Sequence, residues 1–60
     1  MARILHIEDD AIMSKAIKKI LEKNSHEVIS ASDGKEALKI LSEQSNFDLI
    51  ISDIMLPYNN

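Results

Sequence analysis

The sequence predicts a small α/β fold in which three parallel strands alternate with two helices. Residues 3–8 form an almost continuous apolar run, which is typical of a parallel strand covered on both faces. Residues 11–23 and 34–44 carry apolar side chains at every third or fourth position, which indicates amphipathic helices. Further apolar runs around Val28 and at residues 47–52 complete the order β-α-β-α-β.

The bulk composition is that of one small globular domain. The chain has 60 residues, of which 45% are hydrophobic and 28% charged, and this balance argues against disorder. The formal net charge of −3 offers no basic surface to nucleic acid or anionic lipid, and no apolar run approaches the length of a membrane span. The absence of cysteine excludes disulfides and thiolate metal sites. We expect a cytoplasmic protein that binds neither nucleic acid nor membranes.

The first strand leads directly into the first helix. Asp10 is a good N-cap residue for a helix of about thirteen residues that ends near Asn24 and Ser25. His6 lies inside the strand, where a packed histidine is a more common finding than a metal ligand. The apolar side chains of this helix form one face, made of Ile12, Met13, Ala16, Ile17, Ile20 and Leu21.

The second strand is more polar than the first. Residues 26–32 suit the edge of a sheet, and His26 is expected on the solvated surface before the strand. Asp33 can cap the second helix while Glu36 reaches back toward its start. Gly34 is the only glycine, so a glycine-rich nucleotide-binding loop is excluded. The buried face of this helix is expected to consist of Ala37, Leu38, Ile40 and Leu41.

Acidic side chains follow the first and third strands. Glu8, Asp9 and Asp10 end the first apolar run, and Asp53 ends the third. If these strands are parallel neighbours, the carboxylates meet at one edge of the sheet, where they repel one another unless a cation or protons compensate. Oxygen ligands without sulfur or histidine suit Mg²⁺ or Mn²⁺, and an aspartate beside such a metal can accept a phosphoryl group. The alternative is that these acids only cap the helices that follow them.

Three segments of the sequence resemble one known family, and they occur in the right order. They are residues 4–10 (ILHIEDD), 31–38 (ASDGKEAL) and 48–57 (DLIISDIMLP). Together they resemble the receiver domain of the response regulators of two-component signal transduction. The resemblance implies a flavodoxin-like, doubly wound parallel sheet with strand order 2-1-3, in which ligands bind at the carboxyl ends of the strands.

The resemblance also implies roles for individual residues. Asp53 matches the phosphoacceptor, which receives a phosphoryl group from a sensor histidine kinase. Glu8 and Asp9 match the acidic pair that holds Mg²⁺ together with Asp53, Asp9 directly and Glu8 through water, and Met55 would add its backbone carbonyl. Pro57 would shape the loop that follows. Such a module is not an enzyme in the sense of catalytic turnover.

The resemblance covers only part of a receiver domain. Residues 1–60 correspond to a truncated domain with its first three strands and first two helices. The family's switch hydroxyl and its lysine, which follow later strands, have no counterpart in this sequence. The lysine would pair with the phosphoryl group, and the hydroxyl would move a loop into the active state. We therefore expect impaired phosphorylation and no switching.

A structural role is the alternative function. In a three-stranded piece the third strand is an open edge that presents Leu49, Ile50 and Ile51, and such an edge recruits another strand. The chain would then be a self-associating α/β half-domain with a vestigial acidic pocket, for instance a two-fold dimer with one continuous sheet, or it would be largely molten. A metal-dependent phosphatase matches less well, because such an enzyme has a second aspartate two residues after the nucleophile, and position 55 is Met.

Overall fold

The computed structural model describes residues 1–52, which form an α/β unit around one parallel sheet. The strands are β1 (Arg3–Ile7), β2 (Glu27–Ala31) and β3 (Leu49–Ser52), and the helices are α1 (Ala11–Lys23) and α2 (Gly34–Glu43). The sheet order is β2-β1-β3, so the predicted fold class and strand order are confirmed. The elements are slightly shorter than predicted, because β1 ends one residue earlier, β2 is one residue shorter at each end, α2 ends at Glu43 and β3 begins at Leu49.

One face of the sheet forms the hydrophobic core with α2. Leu5 of the central strand β1 is in register with Ile29 and Ile50, and successive residues of a strand point to opposite faces. Leu5, Ala31 and Ala37 form the buried centre of this core. The partly buried side chains that pack against them are Ile7, Ile29, Ile40, Leu41 and Phe47.

The other face of the sheet lies under α1. Ile4 and His6 of β1 are both buried there, in register with Val28 and Ser30 of β2. The helix packs mainly on β2 and, to a smaller extent, on β1. The packed position predicted for His6 is confirmed, because its side chain is completely buried.

Both ends of α1 are capped. Asp10 Oδ1 accepts hydrogen bonds from two amides of the first turn, at 2.9 and 3.2 Å, which confirms this residue as the N-cap. After the last turn, Ser25 adopts a φ of 70°. The amides of Ser25 and His26 donate to the carbonyls of Glu22 and Leu21, which is the Schellman arrangement. This turn leads the chain directly into β2.

The apolar face of α1 is largely uncovered. No residue of α1 is fully buried, and Ile12 is 81% exposed. The reason is geometric, because the helix packs on β2 and β1 and no element within residues 1–52 lies beside its other flank. Apolar periodicity identifies the helix but carries no information about the width of the surface beneath it. Neither of the described helices is long and apolar enough to cross a membrane.

The predicted capping arrangement at the start of α2 is confirmed. Asp33 accepts a hydrogen bond from the Glu36 amide at 2.7 Å. The Glu36 carboxylate reaches back to Ser32, accepting from its amide at 2.7 Å and from its hydroxyl at 2.9 Å. This reciprocal pair sets the direction of α2 as it leaves the carboxyl end of β2.

The buried face of α2 is narrower than predicted. Ala37 is buried, and Ile40 and Leu41 pack on the core, as expected. Leu38, however, is 71% exposed, so its predicted burial is wrong. It lies about 100° around the helix from Ala37 and therefore outside the stripe that faces the sheet.

Arg3 ties together the amino-terminal ends of the strands. Its Nε donates to Glu27 at 3.3 Å, its Nη2 donates to Gln44, and its guanidinium lies 4.6 Å from the centroid of the Phe47 ring. Its backbone amide donates to the Asp48 carboxylate at 2.8 Å. This cluster stands at the opposite end of the sheet from the acids that follow β1.

His26 is half-buried, so the prediction of a solvated surface position is wrong. Its Nδ1 accepts a hydrogen bond from the Ala2 amide at 3.0 Å. The next residue, Glu27, also donates its amide to the Ala2 carbonyl at 2.8 Å. These contacts extend the pairing of β1 with β2 beyond the strand ends.

Candidate functional site

Glu8 is the buried member of the acidic group at the carboxyl end of β1. Its side chain is 7% exposed, and Oε2 accepts a hydrogen bond from the Asp10 amide at 3.2 Å. Its own amide donates to the Ala31 carbonyl at 2.9 Å, which continues the ladder between β1 and β2 by one residue. One long amide contact within residues 1–52 compensates little of the charge of a carboxylate buried to this degree. Glu8 is therefore rigidly placed and suited to a cationic partner.

Asp9 and Asp10 are both exposed but have different surroundings. The Asp10 carboxylate is occupied by the first-turn amides of α1. The Asp9 carboxylate has no hydrogen bond or ion pair with any residue of the described part of the chain. Helix capping therefore explains Asp10 but does not explain Asp9.

Asp53, Met55 and Pro57 lie outside the residues that the structure describes. The register of β1 with β3 nevertheless relates the chain positions of two predicted acids, Glu8 and Asp53. Ser52, the last residue of β3, is in register with Ile7, the last residue of β1. The next residue in each segment is an acid, Glu8 after Ile7 and Asp53 after Ser52.

The donor chemistry at this edge fits Mg²⁺. Glu8 and Asp9 offer hard carboxylate oxygens, and Mg²⁺ is commonly held by one or two carboxylates while it keeps several waters. Within residues 1–52, no group of three or more histidine, cysteine, aspartate or glutamate side chains is arranged to hold a metal. The two acids are therefore an incomplete ligand set in the described part of the chain, and a third protein ligand would have to come from beyond Ser52.

A cavity of 410 Å³ lies beside the acids, between α1 and the carboxyl end of β2. We call it the α1–β2 cleft; its lining residues include Glu8, Asp9, Ser14, Lys15, Lys18, Ser30, Ser32 and Glu36. This cleft was not predicted, although the sequence contains a signal for it. Polar residues at positions 14, 15 and 18 lie on one flank of α1.

The fold and the placement of the acids define a class of protein. A parallel sheet of order 2-1-3 with acids after its central strand is a flavodoxin-like arrangement with a strand-end site. Residues 4–60 match the family model of the response regulator receiver domain. The chain therefore belongs to the receiver domains of two-component response regulators.

Individual relatives agree with this assignment. The chain is 47% identical over 58 residues to the probable transcriptional regulator ycf29 of Pyropia yezoensis, covering 97% of this chain and 26% of that protein. It is 37% identical over 60 residues to the transcriptional regulatory protein CpxR of Escherichia coli K12, covering 100% of this chain and 25% of that protein.

A solved structure supports the fold. It is the crystal structure of a response regulator receiver domain protein from Clostridium thermocellum, with a TM-score of 0.86 and 36% sequence identity. The similarity covers 95% of this chain and 46% of that chain. The present chain thus spans about a quarter of the curated relatives and less than half of this structural neighbour.

Proposed function

We propose that this chain is the phosphoryl-accepting segment of a cytoplasmic response regulator, with Asp53 as the acceptor and a sensor histidine kinase as the donor. In this proposal Mg²⁺ is held by Glu8, Asp9 and Asp53 and by the backbone carbonyl of Met55. The observation that carries it is the position of Glu8 and Asp9 after the central strand. Asp53 follows Ser52, which is in register with the residue before Glu8.

Each residue has a distinct task in the proposed transfer. An Asp53 oxygen forms a bond to phosphorus while the phosphorus–nitrogen bond of the donor phosphohistidine breaks, and the imidazole nitrogen keeps the electron pair. Buried Glu8 and exposed Asp9 supply carboxylate oxygens for the metal. When bound, Mg²⁺ would offset the negative charge of the carboxylates and the phosphoryl group. Asp10 holds the start of α1 in place beside them.

The transfer is expected to be stoichiometric and slow on residues 1–60 alone. The family's lysine and switch hydroxyl have no counterpart in this sequence, so part of the charge on the phosphoryl group would be left without a cation. For the same reason we expect no switching and no catalytic turnover by this segment.

Asp53→Asn is expected to abolish phosphorylation. The test is intact mass spectrometry after incubation with a small acyl phosphate, with and without Mg²⁺. We expect the wild type to gain one phosphoryl group only with Mg²⁺ and Asp53→Asn to gain none, because an amide cannot replace the nucleophilic carboxylate.

Asp10→Asn is the matched control for this experiment. Asparagine is also a good N-cap, so this variant removes a neighbouring acid but keeps α1 in place. It should still gain the phosphoryl group. An equal mass gain in Asp53→Asn and the wild type, or no gain in a folded wild type, would overturn the proposed function.

We infer a second property, self-association through β3, from the exposure of that strand. Within residues 1–52, β3 is an edge strand, with Leu49 50% exposed and Ile50 49% exposed. Their register with Ile4 and Leu5 places them on opposite faces of the sheet, and both helices pack on β1 and β2.

A second copy of the chain fits this edge. Two β3 strands related by a two-fold axis would pair antiparallel and join the three-stranded sheets into one of six strands. Leu49 and Ile50 of each copy would then lie beside the apolar residues of the partner's third strand. If self-association were the function of the chain, Glu8 and Asp9 would be vestigial. Measurements of assembly and of phosphorylation therefore distinguish self-association from phosphoryl acceptance.

Ile50→Lys is expected to shift the chain from dimer to monomer. A lysine at the centre of β3 places a charge beside the same charge of the partner and blocks pairing at the edge. Sedimentation velocity over a range of concentrations measures the result. Leu38→Lys is the control, because Leu38 is at least as exposed but lies on α2, away from this edge. A wild type that sediments as a single monomer at high concentration contradicts the self-association proposal.

A further inference from the structure

The outer side of α1 carries an apolar row of side chains that no element within residues 1–52 covers. Ile12 is 81% exposed, Ile20 is 60% exposed, and Ala16 between them is also exposed. These residues recur at every fourth position and therefore lie in one row along the helix. We call this row the outer stripe.

The outer stripe points away from the sheet. The partly buried side chains of α1 mark the side that packs on β2 and β1, and they are Ser14, Ile17, Lys18 and Leu21. From the angular step of an α-helix, Ala16 lies roughly 150° around α1 from the middle of that side. Strands added beside β3 would extend the sheet without covering a surface that faces in this direction. The outer stripe is therefore a surface feature of α1 and not an unfinished part of the core.

The outer stripe is symmetric about Ala16. One isoleucine lies four residues before Ala16 and another lies four residues after it. Two identical helices that cross antiparallel at Ala16 would place Ile12 of each copy beside Ile20 of the other, as a two-fold contact requires. The small side chain of Ala16 at the crossing point allows the helix axes to approach to about 8 Å.

The charges at the two ends of the outer stripe have the same spacing and opposite signs. Asp9 lies seven residues before Ala16, and Lys23 lies seven residues after it. Both side chains are exposed, and neither forms an ion pair within residues 1–52. In an antiparallel pair of helices, Asp9 of each copy comes near Lys23 of the other. Two complementary charge pairs would therefore flank the apolar contact.

We propose that the outer stripe of α1 binds the outer stripe of a second copy, with the two helices antiparallel across a two-fold axis at Ala16. The symmetric spacing and the complementary charges favour a second copy over an unrelated partner. The net charge of −3 disfavours an anionic lipid surface as the partner. This contact uses neither the edge of β3 nor the proposed phosphoacceptor. Because it is small, we expect the dimer at protein concentrations of about 0.1 mM or more.

The contact is measured in the Ile50→Lys background, in which pairing through β3 is blocked, and without divalent cations. The ¹⁵N-labelled chain is diluted from about 1 mM to about 0.05 mM, a range that spans a weak dissociation constant. We expect the amide resonances of Ile12, Ala16 and Ile20 to shift on dilution and the diffusion coefficient to rise to the monomer value. Resonances that do not depend on concentration, with monomer diffusion throughout, would overturn the proposal and leave the stripe to a partner of another sequence.

Ile12→Lys is expected to raise the dissociation constant of this dimer at least about tenfold, because the two-fold axis places two lysines in the apolar contact. Leu38→Lys is the matched control, since Leu38 is similarly exposed but lies on α2. It should change the dissociation constant by less than about twofold. Both substitutions replace exposed side chains, so the thermal midpoints should stay close to that of the background. Equal weakening by the two substitutions would contradict the proposed contact.

Reversal of charge tests the pairing of Asp9 with Lys23. Lys23→Glu should weaken the dimer about threefold to tenfold, because both symmetric pairs become repulsive. Lys39→Glu makes the same change of charge on α2 and should have little effect. Adding Asp9→Lys to Lys23→Glu restores opposite charges and should return most of the affinity. A double variant that stays as weak as Lys23→Glu would contradict the antiparallel arrangement.

A spin label measures the direction of the two helices. The chain has no cysteine, so Glu22→Cys provides a single exposed attachment point near the end of α1. A labelled copy without ¹⁵N is mixed with the unlabelled ¹⁵N copy, both in the Ile50→Lys background. The antiparallel arrangement predicts broadening of the amide resonances of residues 9–12 in the ¹⁵N copy. Broadening centred on residues 20–24 would show parallel helices and overturn the two-fold contact at Ala16.

Discussion

Leu5→Ala is expected to remove most of the free energy of unfolding of the chain. Leu5 is 0% exposed and stands at the centre of the core between β1 and α2. Truncating a fully buried leucine to alanine lowers the free energy of unfolding by about 2–5 kcal/mol. Small domains lie at the low end of the usual range of about 5–15 kcal/mol, so a loss of this size removes most of the stability.

The core has little material with which to fill the resulting cavity. Its other buried members, Ala31 and Ala37, are already small, and the larger side chains around them are only partly buried. A cavity that cannot collapse gives values toward the upper part of that range. The burial of Leu5 therefore contributes a large part of the free energy of unfolding.

Leu38→Ala is the matched control, since it removes the same atoms from a side chain that is 71% exposed. Its effect on the free energy of unfolding should stay within about 0.5 kcal/mol. Urea denaturation followed by circular dichroism measures both variants. If the two midpoints coincide, the assignment of the core to the α2 face of β1 is wrong.

Asp9→Ala is expected to weaken Mg²⁺ binding by at least about tenfold while leaving the fold intact. Removing even an outer-shell partner of a metal commonly costs about 10- to 100-fold in affinity, and Asp9 is proposed as a direct ligand. Its carboxylate is exposed and has no partner within residues 1–52, so no described contact is lost. Isothermal titration with Mg²⁺ and the thermal midpoint measure the two effects.

Asp10→Ala should show the opposite pattern. The loss of an N-cap lowers the free energy of unfolding by about 1 kcal/mol, because two first-turn amides of α1 lose their acceptor. Mg²⁺ affinity should change much less than in Asp9→Ala. If both substitutions weaken Mg²⁺ equally, the metal responds only to the overall negative charge, and the ligand assignment of Asp9 fails.

The local features of the fold were predictable because short-range chemistry controls them. Asp10 and Asp33 cap the two helices as expected, since an N-cap depends on a carboxylate and on amides two or three residues away. Alternation of strands and helices follows from the period of the apolar side chains. The strand order came from the resemblance of three motifs to receiver domains, and the sheet confirms it.

The burial of individual helix residues was not predictable from the same periodicity. Ile12 and Leu38 belong to apolar stripes, yet both are exposed. The spacing of apolar residues shows which side chains share one face of a helix. Their burial depends on how much of that face the three-stranded sheet covers. His26 shows the reverse error, because its contact with Ala2 depends on residues that are distant in sequence.

By itself, the sequence determined the succession of elements, the caps of both helices and the presence of acids immediately after β1 and after Ser52. These features depend on neighbours along the chain, where covalent geometry leaves few choices. Only the tertiary structure decided that Glu8 is buried while Asp9 is exposed, and that Ser30 meets the lysines of α1 in one cleft. Those relations depend on how α1 lies across β1 and β2, and such packing is set by contacts between residues far apart in the chain.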